Sequence, residues 1–452
     1  MIDKTVAAIS TPPGEGGIAV IRISGPEAIV IADKSFRSYT GRFLSEIKGY
    51  SALYGEVVSE NSVIDDAVAT VFRAPKSFTG ENTVEFSVHG GRLVAKNVLR
   101  AVIKNGACPA DRGEFTKRAF LNGKIDLTKA ESIINIINAK NEIALKISQA
   151  AKNGRISKEI DSLIEKLLEL SASFSVYADY PDDEIENLNP ENFHSSLDEI
   201  LCKLKNMIDT FDLGKKLCDG IECAIIGKPN VGKSTLMNAL SRTERSIVTD
   251  IAGTTRDVVD SAVVLGDTTL ILSDTAGIHQ TDDIVEKAGV DRSFQKLDSA
   301  MIVIAVFDAS SPLDDDDRII IDSISDNAII VLNKSDLGLK ADISAFKGMT
   351  VVNISAKNNQ GIDTLSEAIL AKIKADRLDS DDAVLINDRQ FNCVNRAYES
   401  LYEAKTAMEN HVTLDAVGIC IDDSLKALLE LTGRRVTNEV SDEIFSRFCV
   451  GK

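Results

Sequence analysis

One glycine-rich segment has the residue types and spacing of a phosphate-binding loop. The segment GKPNVGKS (227–234) fits the pattern G-x-x-x-x-G-K-[ST], follows an apolar run and opens the helical run STLMNALSR. Glycines in such a loop let backbone N–H groups face phosphate oxygens, and the start of the next helix adds partial positive charge. We expect Lys233 to reach the β- and γ-phosphates and the Ser234 hydroxyl to bind Mg²⁺. A chance match is the alternative, and the flanking patterns argue against it.

Three further motifs follow in the order expected of a GTP-binding domain. DTAG (274–277) follows the strand-like run TTLILS, NKSD (333–336) follows AIIVL, and SAK (355–357) follows TVVNI. The Asp274 carboxylate suits a water-mediated Mg²⁺ contact, and the Gly277 N–H suits the γ-phosphate. The Asp336 carboxylate can accept hydrogen bonds from N1–H and the exocyclic amine of guanine, which adenine cannot supply. Together the four motifs indicate a GTPase domain.

The catalytic step is open to more than one interpretation. Many small GTPases carry a water-orienting Gln directly after DTAG, but Ile278 stands there in this sequence. Glu286 and, second to it, His279 are candidates to orient the attacking water, and a surface helix charge is the alternative for Glu286. The Asn230 carboxamide can ligate a monovalent cation beside the phosphates, or Asn230 can serve only to support the loop turn.

Composition and charge exclude several classes of protein. The 452 residues carry 51 Lys and Arg against 69 Asp and Glu, a net charge of −18, which excludes a phosphate-binding face over the whole surface. Seven scattered cysteines without a Cys-x-x-Cys pair fit a reducing compartment. The N-terminal segment does not resemble a signal peptide, and no run reaches the ~18 apolar residues of a membrane span. These features predict a cytoplasmic protein that does not enter a membrane.

The character of the sequence changes along the chain and predicts three domains. Residues 1–120 combine β-like runs with one helical stretch, 121–218 and 377–452 are helical, and 219–376 alternates strands with helices. Neither helical part has a partner of its own, so we expect the two to form one domain with the α/β domain inserted between them. The predicted fold class is multidomain α/β and α+β, with an N-terminal α+β domain, a discontinuous helical domain and an inserted Ras-like P-loop GTPase domain.

The motifs and several segments outside them resemble the MnmE/TrmE family of tRNA-modification GTPases. The resemblance includes IVTDIAGTTRD (247–257) and the C-terminal IFSRFCVGK (444–452). It extends through TPPGEGGIAVIRISG (11–25), PKSFTGENTVEFSVHGG (75–91) and GEFTKRAFLNGKIDLTKAE (113–131). These segments spread over nearly the whole chain, whereas related ribosome-assembly GTPases share only the middle domain.

The resemblance implies a K⁺-dependent GTPase that works on tRNA with an FAD-binding partner, MnmG (also called GidA). The two proteins would add an aminomethyl or carboxymethylaminomethyl group to carbon 5 of the wobble uridine. The GTPase domains of the family dimerise across the nucleotide face when K⁺ is present. K⁺ would then supply the positive charge that an arginine finger gives in other GTPases. Arg256 is the second-ranked candidate for such a finger.

The same resemblance assigns ligand and catalytic residues. Glu286 matches the glutamate that orients the attacking water, and Lys233 and Asn230 complete the implied catalytic set. The implied Mg²⁺ ligands are Ser234 and Thr255, and the implied K⁺ ligands are Asn230, Thr249, Ile251 and Thr254. The predicted GTP contacts are Asn230, Val231, Gly232, Lys233, Ser234, Thr235, Thr249, Asp250, Ile251, Ala252, Gly253, Thr254, Thr255, Asp274, Thr275, Ala276, Gly277, Asn333, Lys334, Ser335, Asp336, Ser355, Ala356 and Lys357.

The N-terminal domain resembles tetrahydrofolate-binding domains of the glycine-cleavage type, and in the family it forms a constitutive homodimer. Arg22, Glu85, Lys124 and Lys452 match the family's folate contacts, with 5-formyl- or 5,10-methylene-tetrahydrofolate as the implied cofactor. Taken alone, each residue is more readily interpreted as a surface charge or a buried pair. Cys449 is a candidate reactive thiol near this site, and simple packing is its alternative. The residues after it make a poor prenylation signal.

Two other functions and one basic stretch stay open at this point. The alternatives are a ribosome-assembly GTPase, which would be expected to carry a KH-like or strongly basic RNA module that we do not find, and a folate-binding regulatory scaffold. Residues 92–124 hold eight Lys or Arg against two acidic residues. A solvated helix face and a local tRNA footprint both explain that stretch.

Overall fold

The computed structural model of the protein describes residues 4–60, 62–179, 190–241, 261–274, 300–375, 383–410 and 412–452. The chain forms two compact units. The first unit comprises Met1–Ile134, Ala151–Ile200 and Arg396–Lys452, and the second comprises Asn135–Ala150 and Leu201–Asn395. Within the described ranges, no helix has both the length and the apolar character needed to cross a bilayer.

In its described residues, the first unit contains a mixed seven-stranded sheet. Its strands are β1 (Val6–Ile9), β2 (Ile18–Ser24), β3 (Phe36–Ser38), β4 (Ser51–Ser59), β5 (Ser62–Phe72), β6 (Thr83–His89) and β7 (Cys108–Pro109). They lie in the order β3-β4-β5-β6-β2-β1-β7, and every pair is antiparallel except β1 with β7. The β-like runs at 17–25, 66–75 and 82–91 correspond to β2, β5 and β6.

Two helices cover one face of this sheet. They are α1 (Ala28–Ser35) and α2 (Arg92–Lys104). Ile21 and Phe86 stand opposite each other in β2 and β6, and both are fully buried in the core that these helices share with the sheet. Val98 of α2 is buried in the same core. The sheet therefore presents a helix-covered face and a second face away from α1 and α2.

The second face carries polar residues and a smaller apolar cluster. Side chains alternate along a strand, so Arg22 and Glu85, the neighbours of Ile21 and Phe86, point to this second face. Helix α3 (Glu114–Leu121) provides Phe115, which is fully buried in a cluster with β1. We call this side of the sheet the open face.

Helices lie both before and after the strand-rich middle of the chain. The earlier helices are α4 (Leu127–Asn138), α5 (Glu142–Lys152), α6 (Arg155–Asp179), α7 (Pro190–Asp209) and α8 (Phe211–Asp219), and the later ones are α12 (Asp388–Glu409), α13 (Leu414–Thr432) and α14 (Asn438–Ser446). Helices α6, α13 and α14 lie wholly in the first unit, α8 lies in the second, and the bounds of the two units divide the others. Helix α6 packs against α13, where Ser171 donates a hydrogen bond to Asp422 at 3.1 Å. The predicted fold class, including its discontinuous helical domain, is confirmed.

Within the predicted helical part 121–218, α4 and α5 are separated by a break at 139–141. Asn141 ends the break, because its Oδ1 accepts a hydrogen bond from the Ala144 N–H at 2.7 Å and so caps α5. Its Nδ2 donates to the Leu217 carbonyl at 3.2 Å and to the Thr269 hydroxyl at 3.3 Å. This one buried amide fixes the start of α5 within the second unit.

The second unit contains a six-stranded sheet in its described residues. The strands are β8 (Ile221–Ile226), β9 (Ser261–Leu265), β10 (Thr268–Asp274), β11 (Ile302–Asp308), β12 (Ala328–Asn333) and β13 (Thr350–Asn353), and the helices are α9 (Lys233–Ser241), α10 (Asp315–Ser323) and α11 (Ile362–Ala375). Their order is β13-β12-β11-β8-β10-β9, parallel except for the β9–β10 pair. Apolar cores lie on both faces, which is typical of a parallel sheet covered on both sides.

Candidate functional site

The predicted GTP motifs lie along one edge of the parallel sheet. Strands β8, β10, β11 and β12 run in the same direction, so their carboxyl ends meet at that edge. Gly227 follows β8, Asp274 ends β10 and Asn333 ends β12. The chain passes to opposite sides of β8, since β10 and β11 flank it. Open α/β sheets bind ligands in the crevice at such a switch point.

Two positions of the GKPNVGKS segment require glycine. Gly227 has φ of +151° and Gly232 has φ of +101°. A Cβ on Gly227 would lie 2.4 Å from the Val306 carbonyl oxygen, and one on Gly232 would lie 2.3 Å from Asn333 Nδ2. Any side chain would therefore push the loop away from β11 and β12, and only glycine allows the close approach.

The polar residues of this loop differ in their surroundings. Lys233 begins α9, and its Nζ donates hydrogen bonds to two carbonyl oxygens of the loop, at 2.8 Å and 3.0 Å. Asn230 is exposed and has φ of +62°, a left-handed conformation that Asn adopts more readily than most residues. Ser234 and Thr235 are exposed in the first turn of α9. The loop thus presents N–H donors and exposed side-chain oxygens at a helix start.

Asn333 ties the phosphate-binding loop to the third and fourth motifs. Its side chain is almost completely buried. Nδ2 donates to the Val231 carbonyl oxygen at 2.8 Å, and Oδ1 accepts from the Ala356 N–H at 3.0 Å. An amide side chain is suited to this position because it donates and accepts at once. The two bonds join segments far apart in sequence into one edge.

Lys334 and Asp308 form an ion pair beside Asn333. Lys334 has φ of +62°, and its Nζ lies 2.6 Å from Asp308 Oδ2. Burial would raise the pKa of Asp308, but hydrogen bonds from Lys334 and Ser310 outweigh it and lower that pKa below its usual value. Asp308 therefore stays ionised and holds Lys334 against the end of β11.

The NKSD and SAK motifs lie side by side. The Ser335 N–H donates to the backbone carbonyl that precedes Ser355, at 3.0 Å. Ser355 and Ala356 are buried, whereas Asp336 and Lys357 are exposed. The carboxylate of Asp336 is therefore accessible to a ligand, and the backbone of the neighbouring loop is held in place.

Part of the predicted site lies outside the described residues. Strand β10 ends at Asp274, and the side chain of Asp274 falls outside the description as well. The predicted residues outside it are Thr249, Asp250, Ile251, Ala252, Gly253, Thr254, Thr255, Thr275, Ala276, Gly277 and Glu286, together with the second-ranked candidates Arg256 and His279.

Sequence reasoning missed an ion cluster that anchors the phosphate-binding loop. Lys228 Nζ contacts Asp314 and lies 2.8 Å from Asp317 Oδ2, and the Asp317 side chain is 5% exposed. The hydrogen bond from Lys228 lowers the pKa of Asp314. Asp314 and Asp317 also cap the start of α10 through each other's backbone N–H groups. The four consecutive aspartates at 314–317 were the available signal, since acidic residues favour helix starts.

On the open face of the first unit, the predicted folate residues Arg22 and Glu85 contact each other. They are cross-strand partners, and Arg22 Nε lies 2.7 Å from Glu85 Oε1. The guanidinium carbon of Arg22 lies 5.4 Å from the centre of the Phe115 ring and 6.0 Å from that of Phe78. Both charged side chains are about a quarter exposed. An accessible ion pair between aromatic rings suits a flat, polar heterocycle.

Lys124 and Lys452 reach the same region through its aromatic neighbours. Lys124 Nζ donates to a backbone carbonyl at 3.0 Å, in the loop that carries Phe78. The Lys452 carbonyl oxygen accepts from the Phe115 N–H at 3.2 Å. Cys449 is exposed in the same C-terminal tail. Lys124 therefore bonds to the loop that carries Phe78, and Lys452 bonds through its backbone to Phe115.

Comparisons with known proteins identify the family. Residues 5–124 match the family model "GTP-binding protein TrmE N-terminus", and residues 127–449 match "MnmE helical domain". Proteins named tRNA modification GTPase MnmE from Clostridioides difficile and Desulforamulus reducens are each 38% identical over 100% of both chains. A solved structure of the FeoB G domain from T. maritima is 25% identical, covering 34% of this chain and 98% of that chain with a TM-score of 0.27. On the family models and the full-length relatives, the chain belongs to the MnmE family of tRNA modification GTPases.

Proposed function

We propose that the protein is a K⁺-dependent GTPase that modifies tRNA together with an FAD-binding partner (MnmG, also called GidA). The product carries an aminomethyl or carboxymethylaminomethyl group at carbon 5 of the wobble uridine of certain tRNAs. The observation that carries the proposal is the buried Asn333 amide, which ties the phosphate-binding loop to the SAK loop. The name of the relatives, tRNA modification GTPase, supports tRNA as the RNA concerned.

The second unit would bind and hydrolyse GTP. Lys233 would exchange its two loop carbonyls for the β- and γ-phosphates. Asp336 would accept hydrogen bonds from guanine, and Glu286 would orient the attacking water. The other proposed contacts are Asn230, Val231, Gly232, Ser234, Thr235, Thr249, Asp250, Ile251, Ala252, Gly253, Thr254, Thr255, Asp274, Thr275, Ala276, Gly277, Asn333, Lys334, Ser335, Ser355, Ala356 and Lys357.

Mg²⁺ and K⁺ belong to the same proposal. The exposed Ser234 hydroxyl and the exposed Asn230 carboxamide are hard oxygen ligands, which suit both ions. The remaining proposed ligands are Thr255 for Mg²⁺ and Thr249, Ile251 and Thr254 for K⁺. Bound K⁺ supplies positive charge where charge develops during phosphoryl transfer. The left-handed backbone of Asn230 does not separate a K⁺ ligand from the alternative, in which Asn230 only supports the loop turn, because both roles use that conformation.

The open face of the first unit would hold 5-formyl- or 5,10-methylene-tetrahydrofolate, which supplies a one-carbon unit when bound. Glu85 would accept hydrogen bonds from the donor edge of the pterin, and Arg22 would stay between the two aromatic rings. Lys124 and Lys452 suit the carbonyl and the glutamate tail by their charge. Cys449, exposed in the tail, is the candidate reactive thiol.

The assembly and the domain limits are proposals of the same kind. We propose a cytoplasmic homodimer formed through the N-terminal domain, which joins the FAD-binding partner in a heteromeric complex. The proposed domains are 1–120 for folate binding and dimerisation, 121–218 and 377–452 for the helical domain, and 219–376 for the GTPase domain.

GTP turnover in K⁺ against Na⁺ tests the cation part. We expect at least about tenfold faster turnover in K⁺, and loss of that stimulation in both Asn230→Ala and Asn230→Gly. The glycine variant is the sharper test, because it removes the carboxamide and still allows the left-handed backbone. If Asn230 only supports the turn, Asn230→Gly will keep its K⁺ stimulation. Equal wild-type rates in both salts would remove K⁺ from the proposal.

Analysis of tRNA nucleosides tests the tRNA part. Cells that lack the gene should lose the carbon-5 substituent of the wobble uridine, as measured by mass spectrometry of digested tRNA. Re-expression of the wild-type chain should restore it. An unchanged wobble uridine in the deletion strain would contradict the proposal and favour a ribosome-assembly GTPase or a regulatory scaffold.

A further inference from the structure

The basic residues at 92–124 do not form one surface in the structure. Arg118 is buried and bonded to Glu81 and Glu114. Lys117 pairs with Asp442. Four members of the stretch lie on α2: Arg92, Lys96, Arg100 and Lys104. Only these four residues of α2 are therefore considered as one continuous basic surface.

These four residues, which we call the basic stripe, form one continuous face of α2. They recur at every fourth position, so they follow one another at about 6 Å along the helix axis and together span about 18 Å. All four side chains are exposed. The opposite side of α2 is buried through Ala95, Val98 and Val102, and the helix has no acidic residue. The exposed face of α2 therefore carries charge of one sign only.

The basic stripe is poorly compensated within the described part of the chain. Lys104 pairs with the exposed Glu60. Arg92, Lys96 and Arg100 form no ion pair with any residue that the structure describes. Like charges four residues apart on a helix repel each other, and the chain as a whole has a net charge of −18. An uncompensated positive face on an acidic protein is suited to an external polyanion.

We propose that the basic stripe binds the sugar-phosphate backbone of RNA; the choice of tRNA as that RNA rests on the proposed function. The step of about 6 Å along the helix is close to the spacing of successive phosphates on one RNA strand, so neighbouring side chains can meet neighbouring phosphates. Arginine and lysine bind phosphate oxygens without reading bases. The stripe therefore positions the RNA, and sequence recognition lies elsewhere.

The stripe and the candidate folate residues belong to opposite sides of the same sheet. Helix α2 covers the face that buries Ile21 and Phe86, whereas Arg22 and Glu85 point to the open face. An RNA strand on α2 therefore does not cover the Arg22–Glu85 pair. The two surfaces can be occupied at the same time, which is the arrangement that an RNA-modifying enzyme with a second small-molecule site needs.

Salt-dependent binding of a fluorescent, unmodified tRNA transcript to the full-length protein tests this proposal. The stripe variant is R92Q/K96Q/R100Q, which spares Lys104 because Lys104 pairs with Glu60. The control is R37Q/R42Q/K48Q, which removes three exposed charges from the same domain. We expect the stripe variant to bind at least about tenfold more weakly at about 0.1 M KCl, and its plot of log K against log[KCl] to lose about 2 units of slope. The control should bind like wild type, and GTP turnover without tRNA should be unchanged in both.

Four results would overturn the proposal. The first three are that the wild type does not bind tRNA measurably, that the stripe variant binds tRNA as well as the wild type, and that the control loses as much affinity as the stripe variant. The fourth comes from a parallel assay with vesicles of phosphatidylglycerol and phosphatidylcholine: the stripe variant binds the vesicles more weakly than the wild type but binds tRNA equally well. The last would assign the stripe to a membrane surface. The proposed function is tested separately by the K⁺ and nucleoside experiments, so a protein that modifies tRNA and yet fails here would refute the stripe alone.

Discussion

The edge of the parallel sheet and the open face of the N-terminal sheet hold their candidate ligand residues in different ways. At the sheet edge, Gly232 and Asn333 are fixed by backbone conformation, close contact and buried hydrogen bonds. On the open face, Arg22 and Glu85 are held chiefly by each other and by two aromatic rings. The bonds of Asn333 exist before a ligand arrives and need not change, although Lys233 would exchange its loop carbonyls for phosphates. Arg22 and Glu85 must give up part of their contact with each other to bind a ligand.

This difference predicts how each region responds to substitution. A side chain added to a tightly packed backbone clashes with neighbours that are held in place, so each such substitution at the sheet edge should reduce nucleotide affinity strongly. Removal of one member of an accessible ion pair leaves the sheet intact, so binding there should weaken by a smaller, graded amount. Substitutions at both regions, with ligand binding and unfolding measured together, can separate the two cases.

The largest effect is expected from Gly232→Ala. The new Cβ would lie 2.3 Å from Asn333 Nδ2, and Asn333 cannot move without losing its bonds to Val231 and Ala356. We expect affinity for a fluorescent guanine nucleotide to fall more than about 100-fold, since strain and two disturbed buried hydrogen bonds add up to a few kcal/mol.

Gly348→Ala is the matched control for that variant. Gly348 also has a positive φ, +92°, but no atom lies within 4 Å of its Cβ position. The strain is similar and the steric contact is missing, so nucleotide affinity should stay close to wild type. Equal losses of affinity in the two variants would mean that backbone strain, and not contact with Asn333, explains the requirement for glycine.

Asn333→Ala should have the next largest effect. It leaves the Val231 carbonyl and the Ala356 N–H without their buried partner, which costs roughly 1–3 kcal/mol for each group. We expect guanine-nucleotide affinity to fall roughly 10- to 100-fold and the melting temperature to fall as well. Asn327→Ala removes a hydrogen bond to the Ala300 carbonyl, so it should lower stability without weakening nucleotide binding. A loss of affinity in both variants would contradict a specific role for Asn333.

The same contrast explains what could be predicted from the sequence. The strands expected before the four GTP motifs are present as β8, β10, β12 and β13, because each is a short apolar run next to glycine or polar residues. The tie from Asn333 to Val231 spans 102 residues, and no local pattern encodes it. On the open face, Arg22 and Glu85 are 63 residues apart and meet only through strand register. Their pairing could not be derived from the sequence, and only resemblance singled them out.

A smaller effect is expected from Arg22→Gln. The substitution removes a charged partner of Glu85 and the cation between Phe78 and Phe115. A charge-assisted hydrogen bond contributes roughly 1.5–3 kcal/mol, so affinity for 5-formyl-tetrahydrofolate should fall about tenfold or more, as measured by calorimetric titration. GTP turnover should not change.

Lys405→Gln provides the control for the Arg22 variant. Lys405 forms an ion pair with Asp198 at 2.6 Å in the first unit, so its loss removes a comparable charge pair from a helical surface. Folate affinity should remain at the wild-type value. If Arg22→Gln bound folate as tightly as the wild type, the open face would not be the folate site. The open face would then have no assigned ligand to compare with the nucleotide at the sheet edge.

The smallest effect is a pH dependence of stability at the carboxyl end of β6 in the N-terminal sheet. His89 Nδ1 lies 2.8 Å from Asp65 Oδ1, and this hydrogen bond, together with the charge of Asp65, raises the pKa of His89. The folded pKa is above the unfolded one, so the pair stabilises the fold fully below the unfolded pKa of about 6.5 and loses that effect as pH rises through the folded pKa. Between about pH 5.5 and about pH 8.5, the wild-type melting temperature should fall further than that of His89→Gln, by on the order of one degree.

At the edge of the parallel sheet, the pH dependence of stability should have the opposite sign. Each of the two ion pairs therefore serves as a control for the other. The lowered pKa of Asp308 means that its ion pair with Lys334 stabilises the fold above the unfolded pKa of that carboxyl and loses the effect as pH falls through the folded pKa. Asp308→Asn should therefore lower stability at neutral pH and flatten the dependence of stability on pH on the acid side. His89→Gln should lower stability at acid pH and flatten that dependence on the neutral side. If either variant flattened the dependence on both sides, the two ion pairs would not titrate independently, and the pH dependence could not be divided between the two regions.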